Sequence, residues 1–179
     1  MSDPSPIASA LTDDFLQVSR HQLQTHLGRI EVCLGRLSDA QIWSRRHEVE
    51  NAVGNLVLHL CGNIDQWILG GVGGAPVSRD RDAEFARRDP LPSDELAGRL
   101  HAVVGEADAV LARLTPADLT GSRRIQGFEV SVLHAIYHVV EHLAGHAGQI
   151  IWATKRLTGA DLGFYAFIKD GTRPEGQQP

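Results

Sequence analysis

Apolar residues recur along this chain at alternating steps of three and four, the repeat of a helix with one buried face. In the first such stretch, from about Asp13 to Arg36, the stripe is Leu23, Leu27, Ile30 and Leu34, and it carries on to Leu37. Ser38-Asp39-Ala40 then caps a brief helix through Ile42 and Trp43. A second long stretch, about Val49 to Leu69, sets Val53, Leu56, Val57, Leu60, Ile64, Trp67 and Ile68 on one side, and the glycine-rich run from Gly70 to Pro76 ends it. The third follows Pro92, with Ser93 as N-cap and Asp94 and Glu95 in the first turn, where carboxylates favour the helix dipole. Its buried line is Leu96, Leu100, Val103, Ala107, Val110 and Leu114, and Thr115-Pro116 stops it. The fourth runs from about Ser131 to Arg156 through Leu133, Ile136, Val140, Leu143, Ala147 and Ile150.

Strand signals are confined to Arg123–Val130, where Gly127 can seat a turn within a short extended pair. The pattern predicts an all-α fold, an antiparallel four-helix bundle with a short extended segment before the last helix. Residues 1–10, rich in Pro, Ser and Asp, and residues 170–179 read as unstructured tails around a single domain at 11–169.

Composition narrows the function. The 179 residues are 42% hydrophobic and 22% charged, an ordinary globular balance that excludes a disordered chain and a membrane span. Lys and Arg number 17 against 22 Asp and Glu, so no basic surplus exists to neutralise phosphates and nucleic acid is excluded as a first choice of partner. Cys33 and Cys61 cannot form a disulfide framework, and the start of the chain has neither a basic nor an apolar leader region. Both point to a reduced, cytoplasmic compartment.

Nine histidines change the picture, because His134, His138, His142 and His146 follow one another at i, i+4 on the fourth helix. Successive members are ~6 Å apart along the axis and about 40° apart around it, so one ion can take an adjacent pair but not three. On a helical wheel His146 lies about 80° and His142 about 120° from the centre of the apolar face, while His138 and His134 fall about 160° away. The wheel therefore selects His142 and His146 as a metal-binding pair beside the bundle interior. A third ligand from a facing helix is His59, on the flank of the apolar run VLHLCGNI, with Asn63 and Gln66 one and two turns later. Asn63 and Gln149 are placed to support the ligands or a substrate. Three neutral imidazoles with an open position form a hydrolytic zinc arrangement, and nickel or iron accepts the same donors. Glu141 points about 100° away from its neighbour His142 and is a poor general base. His21, His26, His47 and His101 read as solvated or core-satisfied.

NLVLHLCGNIDQWI on the second helix and YHVVEHLAGHAGQI on the fourth resemble the signature of the DinB/YfiT-like superfamily, whose members are read as metalloenzymes. RDRDAEF at Arg79–Phe85 and DLGFYAFIK at Asp161–Lys169 resemble further recurring segments of a bacterial subgroup of unknown function. The resemblance covers roughly Phe15 to Lys169. It implies an up-down-down-up four-helix bundle, often a homodimer, holding one divalent metal (Zn2+ or Ni2+ first, Fe2+ or Mn2+ next) through residues matching His59, His142 and His146. Some relatives are similar to thiol S-transferases, so it also implies a low-molecular-weight thiol and a small electrophile as partners, with no membrane and no nucleic acid. His138 extends the ladder beyond the three-ligand pattern and is assigned to the surroundings of the ligands.

Two functions compete at this point. One is a metal-dependent enzyme activating a thiol or water, either a thiol S-transferase or a hydrolase. The other is a structural or sensory bundle whose metal site stabilises or is vestigial. The charged run RDRDAEFARR at Arg79–Arg88 reads as a solvated connector, a docking loop or an active-site lid.

Overall fold

The structure, a computed structural model, describes residues 5–167. Helix α1 (Pro6–Arg36) begins within the expected tail. Ser5 accepts a hydrogen bond from the Ala8 N–H at 3.3 Å, and Pro6 sits in the first turn, where its missing N–H costs nothing. Residues 6–10 are therefore helix, and the expected domain start at 11 moves to the cap at Ser5. The expected tail at 170–179 lies outside the described residues.

The short helix α2 (Asp39–Ile42) carries a full capping box between Ser38 and Gln41. Helix α3 (Val53–Ile64) runs on into a π-helical segment, Asp65–Val72, so the glycine run does not end the helix where its composition suggests. Then come α4 (Arg81–Ala86), α5 (Ser93–Leu111), α6 (Pro116–Leu119), strands β1 (Ser122–Ile125) and β2 (Phe128–Ser131), and α7 (Val132–Thr158). Ser93 is the first residue of α5 and not its N-cap; Pro92 occupies that place, and Asp39 accepts the Ser93 N–H at 3.0 Å, tying the start of α5 to α2. Helix α7 has Ser131 as N-cap, Lys155 and Arg156 in its last turn, and a left-handed Gly159 after it.

Helix α1 packs against α5 and α7, and α3 packs against the same two. Leu23, Ile30, Leu34, Leu60, Ile64, Leu96, Leu100, Leu111, Ile136 and Leu143 are completely buried between them. Each such side chain contributes roughly 1.5–3 kcal/mol. Two expected core positions move. Leu133 is exposed while Val132 and Val139 are buried, and Leu111 is buried in place of Leu114, which lies beyond the end of α5. Arg20 on α1 and Asp108 on α5 form a two-pronged ion pair at 2.7 and 2.8 Å.

The strands form an antiparallel hairpin with Ile125 opposite Phe128, leaving Gln126-Gly127 as a two-residue turn. Both turn residues have positive φ (52° and 85°), the type I′ geometry that suits the twist of paired strands. The hairpin docks Ile125 on the π-helical segment at Gly71, where any Cβ would overlap the isoleucine side chain. Among the described residues no helix is long and apolar enough to cross a membrane.

Candidate metal centre

Helix α3 presents His59, buried at 4% exposure, to the face of α7 that carries His142 and His146, both half-buried. One ring nitrogen from each histidine lies within 4.8 Å of the other two. The shortest approach is His59 Nε2 to His142 Nε2, 2.8 Å, and the His142 and His146 ring centres are 4.5 Å apart. Ligands at ~2.0–2.1 Å from one ion are at most about 4.2 Å apart, so a small side-chain rotation brings this donor set onto a single ion.

The electrostatics suit that use. Burial pushes the His59 pKa below its ordinary value, against the opposing pull of a hydrogen bond to Glu84. Burial likewise lowers His142 to about 3, helped by the nearby rings of His146, His59 and His138 and by the Arg79 guanidinium. Both rings are neutral at physiological pH, which is the form that ligates a metal. The residues present thus fit one divalent ion of the imidazole-accepting kind.

Behind His59 stands a second group of residues that the sequence reading did not assign to the site. Glu84 Oε2 is 2.9 Å from His59 Nδ1, and Arg79 grips the same carboxylate through Nε at 2.6 Å and Nη2 at 2.8 Å. The side chains of Arg79 and Glu84 are only 4% and 11% exposed, so at these two positions the charged run at Arg79–Arg88 turns inward, while Asp80, Arg81 and Asp82 between them are exposed. Gly62 makes room for it, since a Cβ there would overlap Glu84 Oε1 and lie 2.7 Å from Arg79 Nε. The fully buried Asn55 donates to the Glu84 carbonyl at 2.8 Å and anchors α4 by its backbone. Phe85 covers the His59 ring with centroids 4.6 Å apart.

The family described as "Protein of unknown function (DUF1572)" matches residues 10–170. The chain belongs to this family. The DUF1572 chain is similar in fold to a conserved protein from Enterococcus faecalis, with a TM-score of 0.66 at 16% identity over 80% of this chain and 97% of that one. It is similar also to a DinB-like protein from Bacillus cereus, with a TM-score of 0.65 at 18% identity over 84% and 94% of the two chains. Among curated proteins none matches. The DinB/YfiT-like resemblance read from the histidine helices therefore holds at the level of fold, and the family is one of unknown function.

Around the cluster the DUF1572 chain distributes its other polar residues unequally. Gln149 meets His146 Nδ1 at 2.9 Å. Asn63 contacts His138 at 3.3 Å and no member of the cluster. His138 is not on an outer face: it packs on Trp67 at 4.1 Å and stacks against His142 at 5.4 Å. The wheel misplaces it because the buried face of α7 runs through Val132, Ala135 and Val139 and not through Leu133 and Val140, which brings His138 nearer the interior, where Trp67 covers it. His134 and Glu141 are exposed, as their wheel positions require. Gln66 accepts from Arg79 at 2.9 Å and also from Gln126, which ties the hairpin tip to the Arg79–Glu84 pair. Beyond the RDRDAEF segment that contains them, Glu84 and Arg79 left one further signal in the sequence. It is a glycine, Gly62, inside the apolar α3 stretch, where a helix otherwise avoids one.

Proposed function

We propose that this chain holds one divalent ion through His59, His142 and His146 and is a metal-dependent enzyme that activates a thiol or a water molecule. The observation that carries this reading is the convergence of three histidines from two helices, with two of them open to solvent. The ion, zinc or nickel foremost and iron or manganese next, supplies Lewis acidity that lowers the pKa of a thiol or water. The protein's own part is to present three imidazoles, with His59 and His142 held neutral by burial. Because no carboxylate joins this cluster among the described residues, the full positive charge is left to attract an anionic partner. A low-molecular-weight thiol and a small electrophile suit an S-transfer reaction, and water suits hydrolysis. Half-burial of His142 and His146 supports access for molecules of that size.

The packing of α1 and α3 each against α5 and α7 supports a four-helix bundle. The up-down-down-up order, a homodimer and a cytoplasmic location belong to the same reading. Elemental analysis of protein purified without an affinity tag or added metal tests it. Near one equivalent of a divalent ion is expected, followed by turnover in a screen of thiols and electrophiles and inhibition by cyanide or free imidazole. An ion closed off from every exogenous ligand favours the structural or sensory role instead.

A further inference from the structure

We infer that Glu84 is a positioning residue: its carboxylate holds the ring proton of His59 on Nδ1 and so turns the bare Nε2 towards His142 and His146. The two ring nitrogens lie on opposite flanks of the imidazole. Glu84 Oε2 stands 2.9 Å from Nδ1, and His142 Nε2 stands 2.8 Å from Nε2, so the carboxylate is behind the ring and the other histidines are in front.

The position of the proton follows from the neighbours of Nδ1. Arg79 Nη2 is 3.0 Å from that nitrogen and, as a donor, would suit a bare Nδ1, but its two hydrogens are already directed to Glu84 Oε2 at 2.8 Å and to the His59 carbonyl at 3.4 Å. A bare Nδ1 would set its lone pair against a carboxylate oxygen at 2.9 Å, a repulsive contact. With the proton on Nδ1, the ring and Arg79 both donate to Oε2, and every atom of the group has a partner of the right kind. Glu84 is not available for other duties. Arg79 engages both of its oxygens, and Gln66 holds the remaining arm of Arg79 at 2.9 Å.

The chain is built to bring Glu84 there. Gly62 on α3 leaves the space, Asn55 fixes the Glu84 backbone, and Asp80 caps α4 by accepting the Ala83 N–H at 2.9 Å. In metal sites a carboxylate behind a ligating histidine fixes its tautomer and raises its basicity, and its loss typically lowers metal affinity 10–100-fold. That consequence for affinity rests on the metal-binding function proposed above, whereas the tautomer does not.

The test uses the metal-free full chain, with ring-nitrogen NMR of the histidines in wild type, Glu84→Gln and Glu84→Ala, and Zn2+ titration against a competing chelator. Wild-type His59 is expected as the Nδ1–H tautomer. Glu84→Ala is expected to shift it towards Nε2–H and to weaken Zn2+ binding about 10–100-fold, with Glu84→Gln, which keeps one acceptor oxygen, in between. A purely structural carboxylate would lower the melting temperature in these variants and leave tautomer and affinity unchanged, which overturns the inference. So does an Nε2–H tautomer in the wild type, a result readable even where a variant fails to fold. A shifted tautomer in protein that binds no Zn2+ at all leaves Glu84 in its role and removes the metal-binding function instead.

Discussion

Four histidines on one helix face three different environments, and environment decides what each can do. His146 and His142 meet His59, His138 is wedged on Trp67, and His134 is in solvent. His59→Ala and His142→Ala are each expected to abolish stoichiometric divalent-metal binding, because two imidazoles remain, while His134→Ala binds as the wild type does. Metal content per chain after gel filtration checks this, and equal loss in all three variants refutes the assignment. Arg79 invites a different measurement. It is a nearly buried cation on a nearly buried carboxylate, so removing it strands the charge of Glu84. Arg79→Ala is expected to cost roughly 3–5 kcal/mol in urea unfolding of the metal-free protein. Arg20→Ala, which breaks a half-exposed surface pair with Asp108, is expected to cost about 1 kcal/mol or less.

At the scale of elements, the contrast between two glycines shows how α3 differs from α1. A Cβ at Gly28 on α1 meets nothing, whereas one at Gly62 runs into the Arg79–Glu84 pair. Gly28→Ala is therefore expected to stabilise by roughly 0.5–1 kcal/mol through helix propensity. Gly62→Ala is expected to destabilise by about 1–3 kcal/mol through overpacking and to expose the α4 segment to protease. Denaturant midpoints with limited proteolysis separate the two. The same contrast explains what was legible in the sequence. The stripes of α1, α3, α5 and α7 and the histidines at 59, 142 and 146 all express local periodicity, and local periodicity can be read. Glu84 and His138 cannot be placed that way. One depends on a chain segment folding back over α3, the other on Trp67 packing against it from the segment that continues α3, and neither leaves a repeat in the sequence.

The whole molecule joins a large apolar core to a site in which burial keeps His59 and His142 neutral, and acid acts on the two differently. The long helices bury continuous stripes of Leu, Ile and Val, so chelation of any bound ion is expected to leave the helical circular dichroism intact. Acid acts differently. Burial lowers the pKa of His26, His59, His138 and His142 below the ordinary 6.5, the last to about 3. Below pH 6.5 the unfolded chain takes up protons at these rings while the folded chain does not, so protons stabilise the unfolded state. Their contribution to stability is complete above about pH 6.5 and is lost progressively as pH falls towards 3. A divalent ion bound to the deprotonated rings adds to this, by about 2.7 kcal/mol at a free concentration 100 times its Kd. The melting temperature of the metal-free chain is thus expected to be flat from pH 8 to 7 and to drop steadily through pH 6 and 5. Metal should raise it at pH 7 and lose that effect by pH 5, where protons compete for the same nitrogens. In the metal-free protein, replacing His142 by Gln should flatten the acid limb without lowering the melting temperature at pH 7 by a comparable amount. An acid limb unchanged in His142→Gln would mean that other groups govern the pH response.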